Sequence, residues 1–339
     1  MKVIAVANFR ERDNGLMFYD TARKLVNGLT RAGCNVYGFS DREIARTSAP
    51  RWLRSVGRKK MNQRLLETVE RMEPALILLC HADTLERETL EAIRARPNRP
   101  RIAMRNVDPL FIPKNIENIN RYADLCDAIF ITTAGPALKQ FAKPGTRVSF
   151  MPNPSDPSIE DGRSYENANP AYDVFFATRY QRFSDRLEFC EELRRRLPQV
   201  RFDFRGFDNR PAIFGSEYGH ALAQCRMALN VDKATGWELY SSARMAQTMG
   251  NGLLTFIERS SQFDRFFEDH VEAVFYDGLD DLAAAIARYK ADDAAARRVA
   301  AAGRAKYHAL FDCTLIARYI IEVTMGREIS PVAWPSELY

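Results

Sequence analysis

Residues 240–257 read Tyr-Ser-Ser-Ala-Arg-Met-Ala-Gln-Thr-Met-Gly-Asn-Gly-Leu-Leu-Thr-Phe-Ile. The hydroxyls of Ser241 and Ser242 suit a helix cap, and the pattern predicts a helix over 241–249 that stops at Gly-Asn-Gly. An apolar strand over 252–257 follows at once, which makes the segment one helix-to-strand unit of a parallel sheet. The start of such a helix offers unpaired N–H groups and a positive dipole end, a natural seat for phosphate. Arg244 adds a planar fork for phosphate oxygens, and Gln247 shares its helix face within reach of a sugar hydroxyl. The plainer account is an ordinary capped unit ending in glycine.

Working outward, the same alternation recurs on both sides. Strands are predicted over 2–8, 35–39, 75–80, 101–105, 128–132 and 148–151, with helices over 16–32, 59–72, 85–94, 115–125 and 136–141. Met151-Pro-Asn-Pro-Ser-Asp-Pro157 then breaks every pattern, because closely spaced prolines fit neither a helix nor a central strand. Strands resume over 172–178, 200–205, 227–232, 252–257 and 271–275. Helices fit 185–197, 217–224, 241–249, 279–290, 293–310 and 314–324. The expected fold is therefore α/β, with two Rossmann-like domains facing each other across a cleft. Residues 1–152 form the first domain, 153–170 a proline-rich linker and 171–311 the second domain. Residues 312–339 supply a closing helix and tail that pack back on the first domain.

At 339 residues the chain is long enough for two cores. No apolar run reaches membrane-spanning length, and the first strand lacks the layout of a signal peptide. The six cysteines are scattered and read as small core residues of a reducing compartment, so a cytoplasmic location is expected. Four histidines without ligand spacing give no support for a metal. Net charge is +5, but it is unevenly spread. Arg42, Arg46, Arg51, Arg54, Arg58, Lys59, Lys60 and Arg64 face a single acid, Glu43, with Trp52, Leu53 and Val56 among them. This segment fits an anionic membrane surface, which would make the protein peripheral on the inner membrane. A solvated basic loop is the plainer alternative. No nucleic-acid motif accompanies it, so nucleic acid is not expected as a partner.

Ligands of open α/β sheets bind at the carboxyl ends of the strands. After the first strand comes a polar loop with Asn8, Arg10, Asp13, Asn14 and Gly15, which lacks the glycine fingerprint of a nicotinamide site. His81 and Asp83 end the third strand and could supply a general base with its orienting partner. Arg105 and Asp108 end the fourth, where Pro109 holds Asp108 extended. In the second half Arg179, Arg182 and Arg186 form an anion clamp beyond the first strand. Gly206 would let a ring pack on the backbone, and Asn230, Tyr240, Ser241, Ser242, Arg244 and Gln247 complete a ring of polar groups, so the second domain is expected to hold a nucleotide diphosphate and the first an acceptor.

With these residues in view the chain resembles the GT-B glycosyltransferases, and within them the CgeB-like, group 1 type. The resemblance rests on Tyr240–Gly252, on Asn106-Val-Asp108-Pro-Leu-Phe, on Met151-Pro-Asn-Pro154, and on Gly303-Arg304 followed by Phe311. It implies transfer of a sugar from a nucleotide-sugar donor to an acceptor, without an obligatory metal or other cofactor. It places Arg244 near the diphosphate. Gln247 stands where many relatives carry a glutamate for ribose or sugar hydroxyls, and an amide brings hydrogen bonds without charge.

On that footing the leaving diphosphate would be stabilised by the amides of Ser241 and Ser242, by Arg244 and by one of the three arginines. Inversion would need a base, from His81, Asp83, Asp108 or Asp13; retention would not. The expected acceptor is a bacterial envelope or surface glycan or glycolipid, such as lipopolysaccharide core. A GT-B-shaped binding or structural protein without turnover, and a nucleotide-sugar epimerase-like enzyme, are the alternative readings.

Overall fold

A computed structural model describes residues 1–339 except 51, 82, 179–184 and 208–209. The chain forms two compact units, Met1–Pro152 with Cys313–Tyr339, and Asn153–Asp312. Among the described residues no helix is long and apolar enough to cross a membrane.

The first unit opens with β1 (Lys2–Ala7), α1 (Thr21–Arg31), β2 (Asn35–Ser40), α2 (Asp41–Thr47), α3 (Arg54–Met72) and β3 (Leu76–Cys80). It continues with α4 (Arg87–Arg94), β4 (Arg101–Asn106), α5 (Pro113–Asn120), β5 (Ala128–Ile131) and β6 (Arg147–Phe150). The strands pair in parallel in the order β2-β1-β3-β4-β5-β6. Each is an apolar run because helices cover both faces of such a sheet, and every residue of β3 is buried.

Several predicted boundaries move for identifiable reasons. The helix expected from residue 16 begins at Thr21, because the Asp20 carboxylate accepts the Ala22 N–H and caps it there. The helix expected over 115–125 ends at Asn120 and is followed by a 3-10 turn, Ala123–Leu125, and the helix expected over 136–141 is 3-10 throughout. Helix α2 was not expected at all. Its signal is Ser40-Asp-Arg-Glu43, the spacing of a capping box, but here the Ser40 hydroxyl bonds the Glu43 carboxylate and makes no cap bond to the helix N–H groups.

The second unit contains β7 (Tyr172–Ala177), α6 (Asp185–Arg196), β8 (Phe202–Arg205), α7 (Gly215–Ala223), β9 (Cys225–Asn230) and α8 (Arg244–Gly250). Next come β10 (Leu254–Glu258), β11 (Val274–Tyr276), α9 (Leu279–Ala291) and α10 (Asp293–Phe311), before α11 (Cys313–Met325) rejoins the first unit. The parallel order is β11-β10-β9-β7-β8. Residues 153–170 are not a free linker. Arg226 donates to the carbonyls of Ser164 and Asn167, Arg304 to that of Gly162, and the Gly162 N–H to Asn251 Oδ1. These bonds make the segment part of the second unit.

Helix α11 lies against α1 in the first unit, where a methyl group on Gly28 would stand 2.1 Å from the Cys313 carbonyl oxygen. Only a hydrogen at residue 28 permits that approach. The segment beyond α11 pairs with β6 through Val148 and Tyr339, and buried Trp334 meets Tyr319 edge-on at 5.4 Å.

Candidate functional site

Strand order fixes where each sheet opens. In the second unit the chain passes from β7 to β8 on one side and then to β9 on the other, so the crevice lies between the carboxyl ends of β7 and β9. Arg244 spans it. Its Nε donates to the Ala177 carbonyl at 3.1 Å and its Nη1 to the Val231 carbonyl at 3.2 Å, with the guanidinium 4.5 Å from the centre of the Phe176 ring. Those two bonds fix the fork in place and leave Nη2 without a hydrogen-bond partner among the described residues. Burial lowers its pKa, yet the side chain stays cationic. Arg186, on the first turn of α6, is buried close enough for the two positive charges to act on each other.

Oxygen atoms gather around this pair. The Asp232 carboxylate, just past β9, accepts the Ser242 N–H. Burial, with some help from the Glu258 charge, pushes Asp232 up to about 7 against the opposing pull of Arg244. Asp232 Oδ1, Asn230 Oδ1 and Ser242 Oγ are all buried without a hydrogen-bond partner among the described residues. Leaving such atoms unpaired costs roughly 1–3 kcal/mol each. Two guanidinium groups beside three unpaired acceptor oxygens suit a ligand that carries both an anion and hydroxyls.

Several donor-side expectations are corrected here. Helix α8 begins at Arg244, not Ser241. The Ser242 amide is held by Asp232, and Ser241 is buried with its carbonyl accepting Asn153 Nδ2 at 3.0 Å, so Ser241 anchors the Pro-Asn-Pro junction. Gln247 Oε1 accepts the Tyr218 hydroxyl at 2.9 Å. Tyr240 is buried, and its hydroxyl acts electrostatically on both Arg186 and Arg244. Gly206 has φ 84° and lies so close to Thr178 that an added methyl would meet its carbonyl at 2.1 Å. Backbone packing, not a stacked ring, is what that glycine permits. Arg179 and Arg182 lie outside the described residues. Asp232, Glu258 and Tyr218 were not singled out from sequence; Asp232 was findable, two residues after Asn230 at a strand end.

In the first unit the same reasoning places the crevice between β1 and β3. Asn8 Oδ1 is buried there without a hydrogen-bond partner among the described residues. A pocket at the carboxyl ends of β3 and β4 is lined by residues that include Arg42, His81, Asp83, Arg105, Asp108 and Arg121. His81 Nδ1 stands 3.3 Å from Asp108 Oδ2. Burial lowers the imidazole pKa, Asp108 opposes that shift, and Arg105 and Arg42 reinforce it. The ring is thereby kept neutral and able to accept a proton. Asp83, offered by the sequence as a base, is instead gripped by Arg42, which donates to both its oxygens at 3.0 Å. Asp13 is set apart from this group: it is exposed and pairs with Arg10 at 3.8 Å. Asn14 and Gly15 turn the same loop with φ 48° and 84°. Arg105 is buried beneath the pocket on β4, with its pKa lowered by burial.

Comparison with known proteins fits this geometry. Residues 185–322 match a family model described as "Glycosyl transferase-like". No curated protein matches the chain in sequence. Among solved structures, HepE of Anabaena, crystallised with UDP, is similar at 14% identity and TM-score 0.56, over 96% of this chain and 100% of that one. The sucrose-phosphate synthase of Thermosynechococcus elongatus is similar at 13% identity and TM-score 0.63, over 96% and 98%. The α,α-trehalose 6-phosphate synthase of Burkholderia multivorans is similar at 10% identity and TM-score 0.58, over 96% and 98%. These likenesses show a GT-B fold built from two Rossmann-like domains.

Proposed function

We propose that this glycosyltransferase of the GT-B type binds a nucleotide-sugar through Arg244 and Arg186 and transfers the sugar to a hydroxyl of a glycan or glycolipid seated near His81. The carrying observation is the Arg244 guanidinium, fixed across the β7–β9 crevice before any ligand arrives, with the Arg186 charge close by. Charge that develops on the leaving diphosphate meets a preorganised fork in a site largely shielded from water, and the two cations take the part a metal plays elsewhere. Asp232, Asn230 and Ser242 then accept hydrogen bonds from ribose or sugar hydroxyls. HepE has been crystallised with UDP-glucose, which supports a uridine nucleotide as the first donor to test.

In the first unit, neutral His81 takes the proton of the attacking hydroxyl while Asp108 stabilises the imidazolium that forms. A histidine base favours direct displacement, with inversion at the anomeric carbon. The pocket lining of arginines, asparagines and carboxylates suits a polyol. A bacterial envelope glycan such as lipopolysaccharide core, met on the cytoplasmic face of the inner membrane, is the acceptor we favour.

Thermal unfolding against UDP, GDP, CMP and their sugars tests the reading. A ligand present at about 100 times its dissociation constant stabilises the fold by roughly 2.7 kcal/mol. A shift with one nucleotide class, clearly reduced by Arg244→Lys, is expected, together with slow donor hydrolysis in wild type. No shift with any nucleotide overturns the proposal. Binding with no turnover of any kind leaves a GT-B binding protein, and donor isomerised without an acceptor marks an epimerase.

A further inference from the structure

The basic segment noted in the sequence folds as a helical hairpin. Helix α2 runs out from the pocket, since Arg42 is its second residue, and α3 returns against it. The two helices touch where Gly57 meets the Ala45 carbonyl; a methyl group at 57 would lie 2.1 Å from that oxygen. The hairpin is therefore tightly packed at its base. Its tip is the reverse of a normal surface. Trp52 is 82% exposed, and Leu53 and Val56 are exposed beside it.

Charge surrounds that tip. Arg46, Arg54, Lys59, Lys60 and Arg64 are exposed and form no ion pair among the described residues, whereas Arg42 and Arg58 are neutralised by Asp83 and Glu86. Val56, Lys59 and Lys60 share one face of α3 by their three- and four-residue spacing. Glu43, the acid within the segment, is buried and turned to Ser40 and Arg12. An apolar tip ringed by unpaired cations is the arrangement that sits at a lipid headgroup layer: the rings and aliphatic carbons enter, and the cations meet phosphate.

We infer that the α2–α3 hairpin docks the protein on an anionic bilayer through Trp52, Leu53 and Val56, with Arg46, Arg54, Lys59 and Lys60 on the headgroups. The seven residues of α2 span about 10 Å at 1.5 Å each, and Arg42 at its start lines the His81 pocket. Resting on the transfer reaction proposed above, this makes the acceptor a lipid-linked glycan whose sugar reaches up from the membrane.

Flotation of the full chain with phosphatidylglycerol–phosphatidylcholine vesicles tests the docking without any sugar chemistry. Binding is expected to anionic vesicles only, to fall as salt rises, and to drop about tenfold or more in Lys59→Glu/Lys60→Glu. The tryptophan emission of wild type is expected to shift to the blue on binding, and that of Trp52→Phe is not. Thermal unfolding of each variant, alone and with UDP, confirms that it is folded and keeps its donor site. Absence of vesicle binding by folded wild type, or equal binding by the charge-reversed variant, overturns the inference, as does tighter binding to duplex DNA than to vesicles. Vesicle binding without a nucleotide shift would leave docking intact and refute the transfer reading instead.

Discussion

His81 and Asp108 face each other at 3.3 Å across the ends of two neighbouring strands, and His81 holds a left-handed backbone at φ 54°. A residue with a Cβ adopts that conformation at a cost, roughly 1–3 kcal/mol, that surrounding structure must offset. The strained residue thus holds its ring on the pocket beside a carboxylate.

His81→Asn is expected to lower kcat by about 10²–10⁴, with nucleotide binding on the second unit unchanged. Since burial depresses the imidazole pKa, the acidic limb of the pH–rate profile should lie below the ordinary histidine value of about 6.5. Asp108 opposes that depression. Asp108→Asn should therefore move the limb to still lower pH while slowing the reaction, and an unmoved limb would remove Asp108 from this role.

Asp232 gives a prediction about stability. Its folded pKa is raised to about 7 by burial, against roughly 3.9 when unfolded. Between those values the folded state binds more protons, so stability falls as pH rises from about 4 to 7. Asp232→Asn should flatten that part of the profile. Melting curves across pH 4–8 without ligand would show it, and parallel curves for wild type and variant would refute it.

Arg244 serves structure as well as binding. Removing a guanidinium that bonds two carbonyls should cost about 2 kcal/mol, a loss visible in the Tm of Arg244→Ala. Arg244→Lys keeps the charge but not the fork. It should regain part of that stability and yet bind a nucleoside diphosphate at least about tenfold more weakly, as titration calorimetry would measure.

Gly28→Leu should separate α11 from α1. The added side chain cannot coexist with the Cys313 carbonyl, so α11 must shift and the first unit should lose about 2 kcal/mol or more. Limited proteolysis is expected to cut near residue 313, while the UDP-induced shift, a property of the second unit, persists.

The elements were legible because nearly every strand is a short apolar run and most helices carry a buried stripe; β9 is buried along its whole length. Pairing order was not legible, since it depends on which strands meet in space. That order brings Ala177 and Val231 to opposite ends of one guanidinium. Arg244 could be picked from sequence as a fork, but not its grip on two carbonyls. His81 with Asp108 was readable as two strand-end residues; the bidentate capture of Asp83 by Arg42, 41 positions away, was not. Capping amides failed as a guide because Asp232 takes the Ser242 N–H that phosphate was expected to use.

Because α11 belongs with Met1–Pro152, the second unit is an insertion within the first. During synthesis the ribosome delivers the whole of Asn153–Asp312 before α11 emerges. The second unit can then reach its native state while the first still exposes the α1 surface that α11 will cover. A nascent chain halted before residue 313 should accordingly bind nucleotide yet attract chaperones through α1. Cellular quality control would therefore act on the first unit last.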